Sequence, residues 1–236
     1  MQVIVLAAGE GRRFLEAGIE TPKPLIKVRG LSLLRHAYES LGIPGEYIFV
    51  CQKDHERKFK ISNEIKSFSS NCKIHFVESL TGGPAESALS CKNELKKDEP
   101  LIIINCDQRM SWNPSRFLDF VKNNDLDGCF PTVETSGKNY SFVLSDSEGF
   151  SLKIAEKDPI SKDGLIGLHY YKKAKFFIES AEEIIRENKR QLGEFYISGT
   201  YNTMIEKGLK VKKYPLDQVE FQVVLGTPEE VFQYEK

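Results

Sequence analysis

Short apolar runs alternate with stretches of helical spacing through the first half of the chain. Residues 3–6, 47–51, 74–77 and 101–104 are mainly apolar, strand-like runs, whereas 32–41, 56–67, 85–96 and 114–122 carry helical periodicity in their apolar residues. This alternation predicts a doubly wound α/β fold, with a mostly parallel sheet covered on both faces. Ligands of such sheets bind beyond the carboxyl ends of the strands. Residues 8–13, 78–83 and 105–109 each follow a predicted strand, so three polar loops are expected to converge on one crevice.

The second half changes character. Residues 128–133, 140–144, 152–156 and 164–171 read as strands joined by turns such as Asp146-Ser147-Glu148-Gly149, which predicts mixed or antiparallel sheet. Helices over 173–188 and 200–207, strands over 210–214 and 221–225, and a short helix from Thr227 complete the pattern. No repeat, low-complexity tract or Gly/Ser linker interrupts it. We therefore expect one domain over 1–236, divided into subregions 1–130 and 131–236.

Composition narrows the class. A length of 236 residues with 40% apolar content suits one sizeable core. The net charge of −1 provides no global field for nucleic acid or an anionic membrane. The five cysteines are widely spaced and form no C-x-x-C pair, which reads as reduced thiols rather than a disulfide or zinc framework. No signal-peptide layout opens the chain, and no apolar run approaches the roughly 20 residues needed to span a bilayer. A cytoplasmic protein is the expectation.

The chemistry concentrates at the start, where the first strand runs into Leu6-Ala7-Ala8-Gly9-Glu10-Gly11-Arg12-Arg13-Phe14, followed by Pro22-Lys23-Pro24-Leu25. Glycines let main-chain N–H groups approach a polyphosphate, and Arg and Lys neutralise it. A P-loop would need Lys-Ser/Thr after the second glycine, where Arg12-Arg13 stands. A dinucleotide fingerprint would need a small residue at position 14 and an acid near position 30, and the chain has Phe14 and Lys27-Val28-Arg29-Gly30. The segment instead resembles the nucleotidyltransferases that couple a nucleoside triphosphate to a sugar phosphate or phosphorylated alcohol. Their signature, L-A-[AG]-G-x-G-x-R-[FLM] and then P-K-x-L, is matched by residues 6–14 and 22–25.

The resemblance continues along the chain and implies a glycosyltransferase-A-like fold. Residues 6–12 (Leu6, Ala7, Ala8, Gly9, Glu10, Gly11, Arg12) would embrace the nucleotide, with Gly82 and Gly83 of a second glycine loop holding the base. Relatives commonly carry Gln where this chain has Glu78; a carboxylate only accepts hydrogen bonds, which suits a base facing it with an exocyclic amine or ring N–H, cytosine N4 or guanine N1 and N2, and CTP is the favoured donor. Asp107, in Asn105-Cys106-Asp107-Gln108 after a buried strand, would ligate Mg²⁺. Arg13 and Lys23 would neutralise the triphosphate and departing pyrophosphate. Glu156-Lys157 and Glu194 would bind the acceptor, Lys157 through its phosphate. Relatives often read D-x-G-T-P before the last helix, the Asp being a second metal ligand. This chain has Val224 there, so Glu220 or Gln222, on the same strand face, is the expected substitute. Thr227-Pro228-Glu229-Glu230 reads as a capping box. The implied reaction transfers a nucleotidyl group to a small phosphorylated acceptor, for surface polysaccharide biosynthesis, in a possible homo-oligomer with neither nucleic acid nor membrane as partner. A catalytically silent nucleotide-binding subunit on the same fold is the alternative.

Overall fold

The computed structural model describes residues 1–137, 139–217 and 220–236. Its strands, in chain order, are β1 (Gln2–Ala7), β2 (Lys27–Val28), β3 (Leu31–Ser32), β4 (Glu46–Gln52), β5 (Cys72–Val77), β6 (Leu101–Asn105), β7 (Gln108–Ser111), β8 (Gly128–Glu134), β9 (Ser141–Ser145), β10 (Ser151–Glu156), β11 (Asp163–Leu165), β12 (Leu168–Tyr171), β13 (Val211–Pro215) and β14 (Phe221–Val224). Among the described residues, ten of these form one mixed sheet in the order β5–β4–β1–β6–β12–β8–β11–β9–β10, with β13 joined to β8. The sheet is parallel from β5 to β6. Beyond β6 its neighbours run antiparallel, except that β13 lies parallel to β8.

The sheet is covered on both faces because its strands alternate between two cores. Ile4 and Leu6 of β1 join Ile103 of β6, under helices Pro84–Leu89, Ala174–Arg186 and Ile197–Glu206. Val3, Val5 and Ala7 face the other way, against helices Leu33–Leu41, Ile61–Phe68 and Pro114–Asn123. All six residues of β1 are buried, as a strand covered on both faces requires. A small third cluster, around Phe14, Leu33 and Leu225, anchors helices Arg12–Glu16 and Pro228–Glu235 beside the carboxyl end of the sheet. Among the described residues no helix is long and apolar enough to cross a membrane.

Several elements depart from the sequence pattern. The helix expected over 85–96 ends at Leu89 and gives way to a separate 3₁₀ turn, Lys92–Glu94. The helix expected over 56–67 is two helices, Lys53–Phe59 and Ile61–Phe68, broken where Lys60 takes a left-handed φ of 54°. The single strand expected over 164–171 divides into β11 and β12. The break lets Gly167 settle against the Asn105 and Gln108 side chains, where a Cβ would collide. The polar loop expected over 105–109 turns into β7, which pairs antiparallel with β14 and sets Val224 opposite Gln108.

Candidate active site

Two cavities open at the carboxyl ends of β1 and β6, and they share Lys23, Pro84, Asn105 and Asp107. The first, about 420 Å³, is bounded by Leu6, Ala8, Gly9, Glu10, Gly11 and Arg12 on one side and by Leu80 to Pro84 on the other. Ala7 belongs to the opposite core and does not line it. Gly11 has a φ of 68°, and a Cβ there would lie 3.0 Å from the Lys23 Cβ. The glycine therefore serves both the turn and the close packing of Lys23 behind the loop.

The second glycine loop is fixed from outside itself. The Phe195 N–H donates to the Gly82 carbonyl and the Ala85 N–H donates to the Phe195 carbonyl, both at 2.9 Å. Arg190 stacks 4.0 Å over the Phe195 ring and donates to the Gly193 and Gly82 carbonyls. Inside the loop the Thr81 hydroxyl donates to the Gly83 carbonyl at 3.0 Å and lies 2.6 Å from the Ser87 hydroxyl. With the Thr81 proton committed, Ser87 donates to Thr81 and presents only lone pairs to the cavity. Glu78, expected to read the base, does not line either cavity. Its side chain is 70% exposed and paired with Lys53, because it precedes the turn that carries the loop inward.

At the junction of the cavities the Lys23 ammonium lies 2.5 Å from Asp107 Oδ2, both side chains 20% exposed. Burial works against the charge on Lys23, but the Asp107 carboxylate outweighs it and raises the pKa above the ordinary lysine value. The Asp107 turn is held by main-chain and amide bonds: the Leu225 N–H donates to the Asp107 carbonyl at 2.7 Å. Gln108, buried beneath, exchanges hydrogen bonds with the Gly167 main chain and accepts from Gln222.

The second cavity, about 350 Å³, is polar. Arg13 lines it, whereas Arg12 lines the first cavity, where it pairs with Glu10 at 3.1 Å. This separation predicts that Arg12→Ala raises the nucleotide KM with little change in kcat, whereas Arg13→Ala lowers kcat by roughly tenfold or more. Steady-state kinetics on the two variants check it, and equal small effects on both would contradict it. Glu156 is 5% exposed and accepts a hydrogen bond from Ser141. Desolvation raises its pKa, against the opposing pull of Ser141 and Lys157. Lys157 adopts a φ of 53°, a conformation that a side-chain-bearing residue enters at a cost. There its Nζ reaches 3.3 Å from the Tyr196 hydroxyl at the cavity wall.

Two expected ligands lie elsewhere. Glu194 lines the first cavity, beside Gly193 and the second glycine loop, rather than the acceptor side. Glu220 is buried away from both cavities, where its carboxylate accepts from the Asn113 N–H at 3.2 Å and the Tyr214 hydroxyl at 3.1 Å and lies 3.7 Å from Arg116. Four residues along a strand is roughly 13 Å, too far to replace a group at position 224. Gln222 does line the second cavity, but its amide is engaged by Gln108. Among the described residues no cluster of three His, Cys, Asp or Glu is arranged to hold a metal. Asp107 alone still fits Mg²⁺, which commonly takes one or two carboxylates together with substrate phosphates and water.

The description of the MobA-like NTP transferase domain family matches residues 3–129, more than half of the chain. The chain belongs to this family. The chain is 25% identical over 230 residues to the bifunctional protein GlmU of Methanocaldococcus jannaschii, covering 91% of this chain and 50% of that protein. It thus spans about half the length of the GlmU relatives it matches. It is 21% identical to the UTP–glucose-1-phosphate uridylyltransferase AglF of Haloferax volcanii, covering 98% and 93% of the two chains. Among solved structures, a nucleoside-diphosphate-sugar pyrophosphorylase from Vibrio cholerae superposes with a TM-score of 0.85 at 22% identity, covering 100% of this chain and 99% of that one. The inositol-1-phosphate CTP transferase from T. maritima superposes at 0.78 with 14% identity, covering 99% and 94%. These two likenesses establish the shared nucleotidyltransferase fold.

Proposed function

We propose that the protein transfers a nucleoside monophosphate from a nucleoside triphosphate to the phosphate of a small phosphorylated acceptor. An acceptor phosphate oxygen attacks the α-phosphorus, the bond to the β-phosphate breaks, and pyrophosphate leaves with the electron pair. The observation that carries this reading is the meeting of two cavities at Lys23 and Asp107. One has the glycine loops of a nucleotide site, and the other has the carboxylate and amine that suit a phosphorylated polar acceptor. Chemistry of this kind needs in-line positioning and charge neutralisation rather than a covalent nucleophile.

In this reading Arg12 and the residue 8–11 loop hold the triphosphate, and Lys23 and Arg13 balance charge on the transferring and departing phosphates. Lys157 orients the acceptor phosphate and Glu156 accepts from its polar groups. Asp107 would hold Mg²⁺, which would supply further charge neutralisation at the phosphates. The biological setting we infer is surface polysaccharide assembly, supported by the sugar-nucleotide chemistry in the names of the relatives. Release of pyrophosphate with paired nucleotides and phosphorylated acceptors tests the reading; nucleotide binding without turnover for any pair would favour a silent subunit, the reading that Val224 in place of a second carboxylate supports.

The sequence favours CTP through Glu78, and the structure gives that side chain to Lys53. The donor is accordingly stated as a nucleoside triphosphate. Glu78→Gln is expected to leave the ratio of CTP to UTP efficiency unchanged, and a shift of more than about tenfold would return base reading to Glu78.

A further inference from the structure

One short hairpin is bonded to the walls of both cavities. Gln191 and Glu194 exchange main-chain hydrogen bonds at 2.9 and 3.0 Å, and the residues between them, Leu192 and Gly193, have φ of 48° and 86°. Two left-handed residues in succession make a two-residue hairpin turn, in which Asn-Gly is the favoured pair. Leucine enters that conformation at a cost, and with Leu192 68% exposed no burial offsets it. On the side of the first cavity the hairpin is tied to the second glycine loop, through Arg190 and the Phe195 main chain. A Cβ on Gly82 would lie 3.0 Å from the Arg190 Nη1, so the loop and the hairpin are in close contact.

On the side of the second cavity the same hairpin holds the strand that carries Glu156. β10 ends the sheet, with β9 beside it and, among the described residues, no strand on its outer edge. Side chains meet its outward main-chain groups instead. Asn202 bonds the N–H and the carbonyl of Ile154, each at 2.8 Å, and the Gln191 Oε1 accepts from the Glu156 N–H at 2.8 Å. Asn202 stands on helix Ile197–Glu206, whereas Gln191 belongs to the hairpin. Gln191 lines neither substrate cavity. What it can do is set where Glu156 stands. The hydroxyl of Tyr196, one residue beyond Phe195, reaches Lys157 at 3.3 Å.

An exposed, strained turn is ordered by its attachments. A ligand that fixes one attachment lowers the cost of fixing the other, which couples the two bindings, and such coupling is reciprocal. We infer that the hairpin couples the two cavities: a nucleotide that settles the second glycine loop also settles Glu156 and Lys157, and Gln191 is the positioning residue that carries the effect. This rests on the nucleotidyl-transfer reading of the two cavities.

The test uses the α,β-methylene analogues of ATP, CTP, GTP, UTP and dTTP, which resist cleavage. Calorimetry with Mg²⁺ present measures their binding, and NMR follows main-chain amide exchange with the analogue that binds most tightly. The reporter is the Lys157 N–H, which donates to the Tyr140 carbonyl at 2.9 Å, a bond that does not involve Gln191. Each value is the ratio of free to bound exchange, so a substitution that only loosens the strand does not move it. In the wild-type protein, saturation slows Lys157 exchange roughly fivefold or more. In Gln191→Met, which keeps the length of the side chain without its acceptor, the slowing falls below about twofold. Gln191→Glu retains an oxygen for the Glu156 N–H and keeps at least about half of the wild-type effect.

No slowing at Lys157 in the wild type, or undiminished slowing in Gln191→Met, overturns the coupling and leaves nucleotidyl transfer standing. Loss of the effect in Gln191→Glu as well would assign it to packing and overturn the role of the bond. Failure of all five analogues to bind sinks this inference and the transfer reading together. Coupling without pyrophosphate release from any pairing of nucleotide and acceptor sinks the transfer reading and keeps the tie between the cavities.

Discussion

Asp107→Asn lowers kcat by roughly 100- to 1000-fold with the fold intact, as expected from loss of a preorganised charge at the point where both substrates meet. The substitution keeps the shape of the side chain and removes only its charge. The main-chain bond from Leu225 and the Gln108 clamp on Gly167 remain, because neither uses the Asp107 carboxylate. Lys23, in contrast, loses the carboxylate 2.5 Å away that keeps its ammonium charged against burial. Its pKa falls, and the junction loses definition on both sides. Pyrophosphate release at saturating Mg²⁺ measures the effect, and thermal unfolding confirms the fold. A folded variant retaining more than about half of the wild-type rate would remove Asp107 from the chemistry.

Gly83→Ala is expected to destabilise the protein by on the order of 3 kcal/mol, a fall of roughly 6–12 °C in Tm for a chain of this size. The φ of 142° already excludes most side chains, and a Cβ would sit 2.6 Å from the Phe195 main-chain nitrogen and 2.7 Å from its oxygen. Main chain cannot swing aside as a side chain can. The clash breaks the two bonds that join residues 82–85 to Phe195, so nucleotide affinity falls along with stability. Gly9→Ala is the control: nothing lies within 4 Å of a Cβ there. Its Tm should stay within about 2 °C of wild type, as for a surface substitution. Equal Tm values for the two variants would show that the Phe195 contact does not fix the loop.

The parallel half of the sheet and its glycine loops were legible because their signals are local. An apolar run ending in Gly9-Glu10-Gly11, or in Asn105-Cys106-Asp107, declares both the strand and the loop that follows. What the chain did not disclose depends on partners distant in sequence. β7 is short and polar, and its identity as a strand comes from β14, over a hundred residues later. Glu220 shares a face with position 224, which periodicity shows. Periodicity does not show that Tyr214 and Asn113 claim its oxygens. Glu194 reads as an acceptor ligand by motif, and the Arg190–Phe195 anchor turns it toward the other cavity.

The position of β12 bears on how the chain is made. β6 is flanked by β1 on one side and by β12 on the other, so the apolar run Leu101–Ile104 has a complete set of neighbours only once Leu168–Tyr171 exists. Synthesis at about 5–20 residues per second leaves a delay of several seconds in which the parallel half can assemble with that strand as an open edge. Such an edge offers unpaired N–H and C=O groups to any extended segment nearby. The interval between the two strands is therefore when the nascent chain is most exposed to pairing with another copy of itself, and when a ribosome-associated chaperone has most to protect.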